Sequence, residues 1–176
     1  MEEKKPNYGL TYGVILGLAV VIFTLLLYLG GVNWFVHPVA YAGFAIPIVF
    51  AVIGGVKQKR ALGGYMSFGM ALKTVFLVFV VGTFISTVFN YVLFNIIDVP
   101  FREALAQETA VAQEKMMRSF GASDATIEKS VAETLSGNNY SISRILLGYA
   151  LGLILWFVIS LIIAAIIKKN KPEFQN

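Results

Sequence analysis

PNYGLTYGVILGLAVVIFTLLLYLGGVNWFVHPVAYAGFAIPIVFAVIGGV, residues 6–56, contains no Lys, Arg, Asp or Glu. At roughly 1.5 Å per residue, one helix of this length would far exceed the ~30 Å hydrocarbon core of a bilayer. The run must therefore fold back on itself. Gly30, Gly31 and Asn33, followed by His37-Pro38, supply the turn. A first span is expected over residues 10–29 and a second over 39–56. Trp34, Phe35 and Tyr41 flank the turn as an interfacial aromatic belt would.

Two further uncharged runs follow. Lys57, Lys59 and Arg60 close the second span, Gly63-Gly64 break the connector, and a third span is expected over 74–97, stopped by Asp98 and Pro100. The fourth, 145–167, is bounded by Arg144 and Lys168. It is dense in Leu, Ile, Val and Phe, each worth about −0.3 to −0.6 kcal/mol for insertion near the bilayer centre.

Across all 176 residues, 57% are hydrophobic, only 14% are charged, and mean hydropathy is +0.75. Soluble domains carry about a quarter charged residues. The fold class expected is therefore all-α: a single polytopic membrane domain of four transmembrane helices. There is no Cys and one His, which excludes disulfides, thiolate metal sites and His-rich clusters. No cofactor or metal is expected. The net charge of +4 sits at the edges of apolar runs, so it reads as a topology signal rather than a nucleic-acid footprint.

Orientation follows from those charges. Lys4, Lys5, Lys57, Lys59, Arg60, Lys73, Lys168, Lys169 and Lys171 all fall on one side of a four-span chain. The positive-inside rule puts them, and both termini, in the cytoplasm. Residues 98–143 then face outward. The first apolar core is about twenty residues, too long for a cleaved signal core of roughly 7–15, so it reads as an uncleaved anchor.

The outward insert has helical periodicity. Phe101, Leu105, Ala112, Met116 and Phe120 recur at steps of four and seven, and Glu114 can pair with Arg118 at i,i+4. Gly121 ends this helix and Ser123 caps a second one bearing Ile127, Val131 and Leu135. An amphipathic helical hairpin is expected between the third and fourth spans.

Gly63-Gly64-Tyr65-Met66-Ser67-Phe68, Ala71-Leu72-Lys73 and Asn95-Ile96-Ile97-Asp98-Val99-Pro100-Phe101 resemble domain-of-unknown-function family 4199. The resemblance spans nearly the whole chain. The family pattern after the third span is closer to Asp-Pro-x-Phe, from which Val99 departs. The resemblance implies a small four-span protein of the bacterial inner membrane. It implies no activity, and points to a lipid-linked glycosyltransferase as a neighbour.

Two small-residue faces and one polar face stand out. Gly9, Gly13 and Gly17 repeat every four residues on the first span, as Gly148 and Gly152 do on the last, a spacing that lets helix backbones approach closely in lipid. They read as bundle packing, or as a homo-oligomer or partner face. Thr83, Ser86, Thr87 and Asn90 fall at i, i+3, i+4 and i+7 on the third span. They read as interhelical hydrogen bonding, or as the wall of a polar cavity. No charged residue lies deep in any span, which argues against a proton-driven pump.

Asp98 and Arg102, one helical turn apart, form a candidate pair at the outer interface, or a helix cap. His37 has no nucleophile or acid beside it in sequence and reads as an interfacial residue. Glu103, Glu108 and Glu114 read as a solvated face. The leading expectation is a non-catalytic accessory subunit of a membrane complex, bound to lipid and to a membrane-protein partner or a second copy. The alternative is a small transporter or lipid-handling protein. An enzyme acting on lipid-linked substrates is third, with only Asp98, Arg102 and His37 as seeds.

Overall fold

The computed structural model describes residues 6–171. Its α-helices are α1 (Tyr8–Leu29), α2 (Val32–Val36), α3 (Ala42–Ala61), α4 (Phe68–Val92), α5 (Val99–Ser119), α6 (Asp124–Leu135) and α7 (Ile142–Ile167). Short 3-10 turns occupy Pro38–Tyr41 and Asn138–Tyr140, and a π-helical turn, Leu93–Ile97, continues α4. There is no strand among the described residues. Met66 and Lys169 alone exchange backbone hydrogen bonds as an antiparallel bridge, 2.8 and 2.9 Å long.

Four helical stretches, Tyr8–Leu29, Pro38–Ala61, Phe68–Ile97 and Ile142–Ile167, are long and apolar enough to cross a membrane. Each is longer than the span expected from the sequence. Lys59 and Arg60 stay helical in the last turn of α3, where cations complement the exposed carbonyls. Lys73 lies inside α4, and its aliphatic stem lets the ammonium reach the interface. Only 22% to 33% of the most apolar window of each stretch is buried. Leu18, Ile22, Leu26, Leu151, Ile154 and Ile162 all present more than half their surface. Apolar area on that scale needs hydrocarbon around it.

The described chain divides into two compact units. One comprises residues 6–20, 44–86 and 149–171. Its core is Leu16, Ala51, Val75, Val78, Phe79 and Ala164, all fully buried, with Trp156 stacked on Phe79 at 4.6 Å between ring centroids. Glycine makes this core possible. A Cβ added at Gly13 would lie 2.7 Å from the Cβ of Val81, and one at Gly17 would lie 2.6 Å from the Cβ of Ile85. One at Gly9 would meet the Thr74 carbonyl oxygen at 3.0 Å. In return Gly82 of α4 admits Leu16, which would stand 2.5 Å from a Cβ there. The two backbones approach because each omits side chains where the other carries bulk.

The other unit comprises residues 21–43 and 87–148. Leu93, Phe94 and Leu105 form its buried centre, ringed by Tyr28, Phe35, Phe101 and Tyr140. Phe101 is the hub of the aromatic group, with ring centroids 4.7 Å from Tyr28, 5.7 Å from Phe35 and 6.1 Å from Phe94. α5 ends at Gly121, whose φ of 75° is the left-handed geometry that closes a helix. Its N–H reaches the Arg118 carbonyl, and that of Ala122 reaches Met117. Ser123 then caps α6. Gln113 of α5 bonds Ser130 at 2.7 Å and Thr134 at 2.8 Å on α6. Arg118 pairs with Glu114 at 3.0 Å and Asp124 at 2.8 Å. Both pairs are well exposed, so they fix local geometry more than stability.

Gly13→Leu or Gly17→Leu is expected to destabilise the fold by ~1–3 kcal/mol or more, as overpacking of a filled contact does. Thermal melting of the detergent-solubilised chain reads this as a midpoint several degrees lower. Gly69→Ala, where nothing lies within 4 Å of the new Cβ, should leave the midpoint unchanged or slightly higher.

Candidate functional site

The four-residue polar face of α4 does not act as one surface. Thr83 donates to the carbonyl of Phe79 at 2.7 Å, and Ser86 to the carbonyl of Thr83 at 3.0 Å. Both hydroxyls are turned back onto their own helix, the local solution open to Ser and Thr in an apolar medium. Thr87 and Asn90 instead line a cavity of about 280 Å³, together with Tyr91, Phe94, Asn95 and Tyr140. The Asn90 Oδ1 atom is buried and has no hydrogen-bond partner among the described residues.

The π-helical turn after α4 sets the surroundings of this cavity. The N–H of Asp98 reaches back five residues to the Leu93 carbonyl at 2.9 Å, so the turn is wider than an α-turn. Asn95, within it, donates to the Tyr91 carbonyl at 3.2 Å and accepts from Arg102 Nη1 at 3.1 Å. Arg102 also lies over the Tyr140 ring, its guanidinium carbon 5.5 Å from the centroid. Its contact with Glu103 is a loose 3.7 Å.

Asp98 and Arg102 therefore do not pair with each other. Asp98 Oδ2 accepts the Tyr28 hydroxyl at 2.7 Å, and Oδ1 accepts the Phe101 N–H at 2.9 Å, which caps α5. Helix geometry explains the difference: an N-cap side chain folds toward the first amides of its own helix and away from the residue four further on. The Tyr28 hydroxyl first, and the Phe101 N–H second, hold the Asp98 carboxyl below its ordinary range against a smaller opposing effect of burial. Burial holds the Tyr140 phenol above its ordinary range, more than Arg102 lowers it, so it stays a neutral donor and acceptor.

His37 Nδ1 accepts the Val39 N–H at 3.2 Å and so starts the Pro38–Tyr41 turn. Glu103 and Glu108 are exposed and Glu114 is partly buried. Gly9, Gly13 and Gly17 lie against α4, whereas nothing lies within 4 Å of a Cβ added at Gly148 or Gly152. At the basic end, Lys169 lies over the Tyr65 ring at 5.3 Å and Lys168 over Phe68 at 5.8 Å. Among the described residues, no three His, Asp or Glu side chains gather to hold a metal ion.

Sequence reading missed Tyr28, Asn95 and Tyr140. Tyr28 and Asp98 are separated by 70 residues, and no local spacing rule connects them. The signal that did exist was Asp98 itself, a lone acid at the end of a span and in need of a partner.

The sequence model of a family described as "Protein of unknown function (DUF4199)" matches residues 11–169. No curated protein and no solved structure matches the chain.

Because the folded-state pKa of Asp98 is lowered, its ionisation stabilises the fold above the ordinary carboxylate value of ~3.9. That contribution is lost as pH falls through the lowered value. Tyr28→Phe removes the principal cause. The melting midpoint of the variant should lie below that of the parent at pH 7, and the gap should narrow toward pH 3. A gap independent of pH would contradict this assignment.

Proposed function

The chain belongs to the DUF4199 family, and we propose that this member is a non-catalytic accessory subunit held within a membrane complex. The observation that carries the reading is the contrast between its two glycine faces. Gly9, Gly13 and Gly17 are covered within the chain, and a side chain at any of them would strike α4. Gly148 and Gly152 have the same spacing and meet nothing. Around them Leu147, Leu151 and Leu155 expose 52%, 58% and 54% of their surfaces. A small-residue groove flanked by leucines lets a second helix come close, and lipid tails fill such a groove poorly.

A lipid-linked glycosyltransferase is the first partner to test, with a second copy of the chain as the alternative occupant. The concentration of Lys and Arg at one end of the four spans supports an orientation with both termini cytoplasmic, and the family resemblance implies a bacterial inner membrane. The α5–α6 segment then lies on the outer side as an amphipathic hairpin.

The double variant Gly148→Leu, Gly152→Leu is expected to fold normally, because both positions face open space. Its co-purified partner, recovered by crosslinking pull-down after mild solubilisation, should fall roughly tenfold, the effect of about 1.4 kcal/mol. Full retention of the partner, or a parent chain that is always recovered alone, would overturn the proposal.

A further inference from the structure

We propose that the cavity at the basic end of the unit built from residues 6–20, 44–86 and 149–171 holds the phosphate of a net-anionic phospholipid, with Lys169 and Lys171 as its cations. This goes beyond the accessory role and does not depend on it.

No acid balances the cations of this unit. Its described residues include Lys57, Lys59, Arg60, Lys73, Lys168, Lys169 and Lys171 and not one Asp or Glu. The ion pairs among the described residues lie elsewhere, on Arg102 and Arg118. Glu2, Glu3 and Glu173 fall outside the described residues. Like charges gathered at one end of a bundle repel one another, and a bound anion relieves that repulsion.

An orientation signal needs charge alone, whereas these lysines are also held in place. The backbone bridge between Met66 and Lys169, with hydrogen bonds of 2.8 and 2.9 Å, fixes the segment after α7 against the connector between α3 and α4. Met66 is 2% exposed, so the bridge is anchored in the core. Lys169 rests over the Tyr65 ring at 5.3 Å, and Lys168 over the Phe68 ring at 5.8 Å. An ammonium seated on a ring still has N–H groups directed away from it for an anion. Side chains two apart along an extended segment share a face, and Lys169 and Lys171 both line the cavity.

The remaining walls favour a lipid as the carrier of the phosphate. The cavity holds about 480 Å³, within the range of small-molecule sites. Beside the lysines and Ser67 it has an apolar wall of Ala61, Leu62 and Met70, which the glycerol and first methylenes of a lipid would cover and a free phosphate would not. The depth order agrees. Met70 is the third residue of α4, about 4.5 Å further toward the membrane interior than Ser67 on the helix rise. Lys169 and Lys171 follow Ile167, the last residue of α7, and lie on the water side. A lipid thus places its phosphate on the lysines and its ester region against Met70, in the direction in which it is built. A zwitterionic head group fits worse. Its ammonium would lie among lysines, with no carboxylate nearby and with the Tyr65 and Phe68 faces already occupied.

The full chain is melted in detergent with phosphatidylglycerol, phosphatidylcholine, soluble glycerol 3-phosphate or a hexaglutamate peptide, and retained ligand is counted by native mass spectrometry. Phosphatidylglycerol should raise the midpoint and be retained, while the other three should do neither. Lys169→Gln with Lys171→Gln should weaken that binding roughly tenfold or more. Lys57→Gln with Arg60→Gln removes two charges from the same end, at residues that do not line the cavity. It should keep binding within about threefold, the weaker effect of screened and more distant charge. All four side chains are exposed, so both variants should fold as the parent does. Equal loss in the two double variants, an equal rise with glycerol 3-phosphate, preference for the peptide, or equal retention of the two lipids would overturn the proposal.

Discussion

Hydrocarbon offers no hydrogen bonds, and that constraint governs the molecule from its backbone outward. A chain crossing a bilayer has to satisfy each amide within its own segment, which leaves the helix as the only economical form for an open, non-barrel chain. Four charge-free stretches therefore become four long helices, and their leucines and isoleucines need no burial by protein. With the hydrophobic effect absent between helices, what holds them together is shape. The α1–α4 contact shows this directly. Gly13 and Gly17 receive Val81 and Ile85, and Gly82 receives Leu16, so that bulk on each helix fills a gap on the other.

The same constraint sorts the polar residues. Thr83 and Ser86 bond their own helix, Tyr149 gives its hydroxyl to the Val80 carbonyl at 3.0 Å, and Ser160 bonds the Trp156 carbonyl at 2.7 Å. Asp98, at the end of a span, gains the Tyr28 hydroxyl and a backbone amide. Against this background of met demands, Asn90 stands apart, and so do the open backbones of Gly148 and Gly152. One is an unmet hydrogen bond sealed within the fold, and the other is an open packing surface that supports a binding role outside it.

The number and approximate position of the apolar helices are legible in the sequence because charge is so costly in lipid that a run of some twenty residues without it marks a crossing. Their ends are less so. Lys59, Arg60 and Lys73 bound the apolar runs, while the helices run on through them. The spacing of Gly9, Gly13 and Gly17 equals that of Gly148 and Gly152, and period alone does not say which face is covered. The polar face of α4 is visible as a pattern, but its division into self-bonded and cavity-lining residues depends on what α5 and the Asn138–Tyr140 turn bring near its end. Tyr28 with Asp98, and Arg102 with Asn95 and Tyr140, are products of tertiary placement, for which one sequence offers no periodicity to read.

A natural chain without cysteine makes the central claim directly accessible to labelling. Lys57 and Ser119 are exposed and have a single proposed crossing, Phe68–Ile97, between them. Single-cysteine variants Lys57→Cys and Ser119→Cys, treated with a membrane-impermeant maleimide in sealed cells, should behave oppositely. The residue-119 thiol should react at once and the residue-57 thiol only after the membrane is opened. Reaction of both before permeabilisation, or protection of both, would contradict a chain that crosses the bilayer between them.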